Sequence, residues 1–181
     1  MTTVTTSQPQ TDVSVLHAQL QLLQQENARL SLINQFAIDL HELTGADDIL
    51  NYAAKHVVAG LGFVDCAIFI LADDGQTLVR KAATGTRDVP SHLGIAELKI
   101  GQGLVGHAAK IRQAVLVSDT REDPYYVSDL VPSLSELVVP ILDAHGVLGV
   151  IDCEHSHSHY FSQEHQQILE VVASILASKL R

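Results

Sequence analysis

The residues best equipped for chemistry fall in one run, "IDCEHSHSHY", from Ile151 to Tyr160. Cys153 is followed by His155, His157 and His159 at every second position, with Asp152 and Glu154 interleaved. Alternate residues of a strand face the same way, so Cys153, His155, His157 and His159 would share one face if the run stayed extended. Same-face neighbours about 7 Å apart can converge on one ion, and thiolate and imidazole are both zinc ligands. Against this, Ser162 is a good N-cap for a helix that starts soon afterwards. The strand must then end near Glu154, and the serine-rich remainder reads as a polar loop. The expectation is therefore no favoured metal site, with those four residues as the candidates if an ion is held.

A second motif, "GQGLVG", spaces Gly101, Gly103 and Gly106 as in a dinucleotide-binding turn and precedes Asp119. The surroundings argue otherwise. Glu97 and Lys99 precede it, whereas a parallel strand covered on both faces is almost wholly apolar. The helix that follows is short for a crossover, and a hairpin comes after Asp119 rather than further βα units. The glycines are expected to permit a tight turn where backbone approaches closely.

Bulk properties narrow the partners. The chain has 181 residues, a net charge of −10 from 21 acidic and 11 basic residues, and no basic run. Nucleic acid and anionic lipid need clustered Lys and Arg, so neither is an expected partner. Two cysteines, Cys66 and Cys153, make no disulfide framework. The N-terminus lacks the cationic and apolar regions of a signal peptide, and no apolar run is long enough to span a bilayer. A cytoplasmic protein is expected.

These residues need elements to position them. Residues 1–12 are rich in Thr, Gln and Ser and are expected to be disordered. A heptad pattern follows over residues 13–32: Val13, Leu16, Leu20, Leu23, Asn27 and Leu30, continuing to Asn34. Asparagines at such positions fix the register of a parallel dimeric coiled coil. The apolar stripe continues through Ile33, Phe36, Ala37 and Leu40 into a domain over residues 33–181. A second helix buries Ile49, Ala53, Val57 and Leu61. Two strands around the Asp74-Gly75 turn form a hairpin, and a short helix and a short strand "AVLVSD" come next. The polar loop "TREDPYYVSDLVPS" leads to a second hairpin, and a helix carrying Ile168, Val172, Ile175, Leu176 and Leu180 on one face closes the domain. The order predicts an α+β fold, an antiparallel sheet with helices on one face, preceded by the coiled-coil helix.

This order, with "IGQGLVGHAA", "AVLVSD", "SELVVPI" and "GVLGVIDCEH…FSQEHQQILEVVASILA", resembles a GAF domain. The resemblance implies a six-stranded antiparallel sheet, a helical layer on one face, a small-molecule pocket on the other, and dimerisation through the first and last helices. The signature of the cyclic-nucleotide-binding members is absent. Cys153 is followed by Glu154 and Cys66 by Ala67, not by the histidine of bilin-binding members. The local wording is similar to free methionine-R-sulfoxide reductases, whose strand carboxylates hold the substrate; Glu136, Asp152 and Glu154 occupy similar positions. Their catalytic cysteines would fall near Ile95, Val105 and Asp129, so that activity is not expected. Cys66 and Cys153 are expected to pack as small apolar groups.

The pocket expectation follows. Glu136, Asp152 and Glu154 would offer acceptors to an amine or other polar group. Asp119, Arg121, Tyr125 and Tyr126 would come from the loop above, unless Asp119, Arg121 and Glu136 merely cap turns and pair together. The functional expectation is a sensor: a homodimer whose pocket binds an unidentified small molecule, with output through its helices to a separate protein. A reductase-like redox enzyme and a metal-responsive histidine loop are the alternatives.

Overall fold

The computed structural model describes residues 9–88, 94–129 and 131–180. The chain divides into two compact units, Met1–Gln35 and Phe36–Arg181. Helix α1 spans Pro9–Glu42 and so starts inside the stretch expected to be disordered. Proline suits the first turn of a helix, where its missing N–H costs nothing. Residues 1–8 of that stretch lie outside the described residues. In the first unit, Val13, Leu16, Leu20, Leu23 and Leu30 are each more than half exposed.

The second unit begins with the end of α1 and continues with α2 (Ala46–Leu61), β1 (Asp65–Leu71), β2 (Thr77–Thr84), β3 (Glu97–Lys99), α3 (Gly103–Ile111) and β4 (Val115–Val117). After a 3-10 turn at Thr120–Glu122 come β5 (Ser135–Leu142), β6 (Val147–His155) and α4 (Gln163–Lys179). The strands form one six-stranded antiparallel sheet in the order β3-β2-β1-β6-β5-β4.

Local chemistry explains the boundaries. Asp47 and Asp48 place negative charge in the first turn of α2, and Gly62 ends that helix in the left-handed region at φ 71°. The first hairpin turns where Asp74 accepts backbone N–H bonds from Gln76 and Thr77. Ser162 caps α4, its hydroxyl accepting the His165 N–H while His165 Nδ1 accepts the Ser162 N–H.

The central strands are covered on both faces. One side carries Cys66, Ile68, Leu137, Val139, Ile141, Ile151 and Cys153 against Phe36, Leu40, α2 and α4. Within it, Tyr52 donates to Asp39 at 2.5 Å, tying α2 to the end of α1. Burial, reinforced by Asp39, pushes the Tyr52 phenol up to about 12. The other side carries Ala67, Phe69, Val117, Val138 and Val150 against Leu104, Val105, Ala108 and Ala109 of α3. The "GQGLVG" glycines serve this second layer. A Cβ at Gly106 would lie 2.2 Å from the Lys99 carbonyl oxygen, so only glycine lets α3 sit on the turn before it. The sheet beside it is antiparallel, not the parallel sheet of a dinucleotide fold.

Candidate functional site

The β5–β6 ladder fixes which side chains meet beneath α3. Glu136 on β5 is paired with Glu154 on β6, and Val138 with Asp152. Residues two apart share a face, so Glu136, Asp152 and Glu154 project on the side of Val138 and Val150, under α3. They are 4%, 1% and 5% exposed, and one carboxylate oxygen from each lies within 4.8 Å of the other two. Among the described residues this is the one group of three or more acidic, histidine or cysteine side chains with converging ligand atoms. At that distance two ionised carboxylates would repel by about 3.5 kcal/mol for an effective dielectric near 20. A cation or a group with several N–H donors would relieve the repulsion, and the same oxygens can hold a divalent ion.

A fourth carboxylate adjoins them and was not singled out in the sequence. Asp65 on β1 is paired with Glu154 across the other edge of β6. It is buried and accepts the backbone N–H and the hydroxyl of Thr86. The signal was its place two residues before Ala67 and four before Phe69, but only the β1–β6 register brings it beside Glu154.

The loop residues split. Tyr126 packs on the α3-side core, and its hydroxyl oxygen accepts the Ser133 N–H at 3.0 Å, closing the loop before β5. Tyr125 is 46% exposed and stacks on His107 of α3 with ring centroids 4.1 Å apart, strapping the loop to that helix. Asp119 and Arg121 engage each other. Asp119 accepts the backbone N–H and Nε–H of Arg121, and Nη2 lies 2.5 Å from its second oxygen. The Arg121 side-chain hydrogen bond above all, with its charge and that of His159, lowers the Asp119 carboxyl to about 2. This is the turn-capping arrangement for those two, whereas Glu136 joins Asp152 and Glu154 instead.

The histidine run does not form a ligand set. β6 ends at His155, on the face of Cys153, where the His155 ring is buried and stacked on Tyr160 at 3.5 Å. Its Nδ1 accepts the His157 N–H. Burial, and then the neighbouring His157, lowers the His155 pKa. His159 turns away at φ 59°, its N–H bonded to the Ser118 carbonyl. The ligating atoms of Cys153, His155, His157 and His159 do not converge.

Of the positions where the resemblance sets catalytic cysteines, Val105 is buried on α3. Ile95 and Asp129 meet: the Asp129 carboxylate accepts the Ile95 N–H at 3.3 Å. Cys66 and Cys153 lie on the opposite face of the sheet from the carboxylates. A groove of about 460 Å³ also opens on that opposite side, lined by Leu50, Ile70, Leu148 and Leu180 with Asp47 and Lys81, and no predicted site residue lines it.

The GAF domain family model matches residues 44–181. The chain belongs to the GAF domain family. A search by sequence against curated proteins finds no match. Among solved structures, the GAF domain of a phosphoenolpyruvate-protein phosphotransferase from Acinetobacter superposes with a TM-score of 0.77 at 19% identity, covering 85% of this chain and 93% of that one. A free methionine-R-sulfoxide reductase from Neisseria meningitidis, in complex with its substrate, gives 0.75 at 22% identity, covering 83% and 87%. A putative GAF sensor protein from Burkholderia vietnamiensis gives 0.74 at 24%, covering 84% and 92%. At these identities the likeness is one of fold. The GAF domain here has no helix among the described residues long and apolar enough to cross a membrane.

Proposed function

We propose that this GAF domain is a signalling module that binds a small molecule bearing an amine or similar multi-donor group. The group would sit against Glu136, Asp152 and Glu154, beneath α3 and the Tyr125-Tyr126 loop. The observation that carries the reading is the convergence of three buried carboxylates on one side of the sheet. A reductase in the fold comparison was solved with its substrate, which supports a ligand role for such a domain. A binding role is favoured over reductase chemistry. The resemblance would set catalytic cysteines near Ile95, Val105 and Asp129, where this chain has none, and Cys66 and Cys153 lie on the opposite face of the sheet from the carboxylates.

Output is proposed to run through a homodimer of the heptad-bearing helix in a cytoplasmic setting, biasing a separate partner protein. Ligand binding does so only if the two arrangements of the helices differ in affinity for the ligand. Coiled-coil pairing over residues 13–32 is supported by the exposed apolar residues of α1 and by the asparagines Asn27 and Asn34 in the same stripe. The test is thermal unfolding across a panel of primary and quaternary amines, amino acids and uncharged analogues. A melting-temperature rise confined to cationic donors, and lost in Asp152→Asn, is expected. No rise with any amine overturns the reading.

A further inference from the structure

The chain's two cysteines face each other across two central strands. Cys66, the second residue of β1, is the direct partner of Cys153 on β6. Both are fully buried in the helix-side core. Directly opposed residues of antiparallel strands have Cα atoms about 4.5 or 5.5 Å apart, and a disulfide spans about 4.4–6.8 Å. The backbone is thus already set for a bond in either class of pair. The Cβ atoms of such pairs lie about 4.5–5.5 Å apart, against about 3.5–4.5 Å in a disulfide, so closure must draw the strands slightly together. Bonds formed under such strain are the readily reduced ones. The pair lies one step inside the end of the β1–β6 ladder, and its outer edges are held by Thr84 of β2 and Leu137 of β5.

We propose that Cys66 and Cys153 form a redox-responsive dithiol that closes to an intramolecular cross-strand disulfide. The oxidant that fits a buried apolar site is small and uncharged, namely hydrogen peroxide. One thiol gives up its proton and attacks a peroxide oxygen, breaking the O–O bond; it is left as a sulfenic acid, and the expelled hydroxide takes up that proton as water. The second sulfur then attacks the sulfenic sulfur and expels hydroxide, which takes up the remaining thiol proton as a second water. Each sulfur gives up one electron, and two thiols with one peroxide become one disulfide and two waters. A thiol reductant reverses the step by exchange.

The position couples this pair to the carboxylates. Asp152 and Glu154 are the residues on either side of Cys153, and their partners on β1 are Ala67 and Asp65. Drawing β1 towards β6 at the cysteines changes the spacing beneath both carboxylates on the opposite face. That regulatory consequence rests on the pocket reading above; the disulfide does not.

The test treats the reduced full chain with hydrogen peroxide, then denatures it, alkylates free thiols, and measures intact mass and migration on a non-reducing gel. The expected result is loss of both alkylatable thiols and of two hydrogen atoms, at monomer migration, reversed by dithiothreitol. Cys66→Ser and Cys153→Ser each abolish it. Oxygen added to sulfur without a disulfide, or a bond only between chains, overturns the proposal. A second arm refolds the reduced, denatured chain in a glutathione redox buffer, which removes the access barrier. A native circular dichroism spectrum with the bond closed supports the pair. Thiols that survive both treatments, or oxidation that blocks refolding, overturn it. Neither arm reads ligand binding, so failure here leaves the pocket reading standing.

Discussion

Replacing Glu136 by glutamine separates a frustrated binding site from a structural hydrogen-bond cluster. One carboxylate oxygen from each of Glu136, Asp152 and Glu154 lies within 4.8 Å of the other two, which makes three repelling pairs when all are ionised. An ionised pair at 4.8 Å costs about 3.5 kcal/mol at an effective dielectric near 20, before the other interactions that each of the three carboxylates makes are counted. Glu136→Gln preserves shape and removes two of the three pairs. Desolvation and residual hydrogen bonding offset part of that relief, leaving an expected gain of about 1–3 kcal/mol. For a domain of this size the melting temperature should rise by about 2–4 °C per kcal/mol. Urea unfolding of ligand-free protein at pH 7 measures it, with the slope against urea unchanged. The amine-dependent thermal shift of the wild type should disappear in the same variant, the usual conflict between stability and function at a site. A loss of more than about 1 kcal/mol would refute the reasoning, because it would mean the carboxylate is a satisfied structural acceptor.

Gly106→Ala forces a methyl group towards the Lys99 carbonyl oxygen, and a drop of about 1–3 kcal/mol in urea unfolding is expected; a change under about 0.5 kcal/mol would contradict the close packing of α3. His155 and His165 both have lowered pKa values, burial being the leading cause in each. Their Nδ1 atoms accept the His157 and Ser162 N–H groups, and protonation would remove those acceptors. The folded state therefore binds fewer protons than the unfolded chain, so stability is full above about pH 6.5 and declines as pH falls below it. The stability difference between the wild type and the His155→Gln, His165→Gln variant should therefore shift against the wild type as pH falls from 7.5 to 5, and a pH-independent difference, or one shifting the other way, would contradict the sign. Leu20→Asp with Leu23→Asp places charge in the exposed stripe of α1. Sedimentation should change from dimer to monomer with the domain still folded, and a wild-type monomer would refute the coiled coil.

Local signals carried most of the fold. The Asp74-Gly75 turn, the Ser162 cap and the αL glycine at Gly62 act over a few residues, and each appears where the sequence puts it. The three-residue strand β3 carries too little pattern to announce itself among Glu97, Leu98 and Lys99. The site was legible in part. Glu136, Asp152 and Glu154 are candidates through the resemblance, and the β5–β6 register brings them together. Asp65 escaped because its role depends on a pairing between residues far apart in sequence, and the mutual approach of Cys66 and Cys153 is invisible for the same reason. For Asp119 and Arg121 the sequence leaves a pocket role and mutual pairing both open, and their proximity along the chain supplies the pairing.

The alternation along β6 has an evolutionary corollary. Asp152 and Glu154 point one way, Cys153 and Ile151 the other, and both faces are closed. Inserting or deleting a single residue within this strand would turn two acids into the aliphatic layer and a thiol towards α3. Point substitutions here can drift one at a time, but length cannot. Natural variation among descendants of this chain should therefore exchange side chains within β6 while gaps accumulate in its flanking turns.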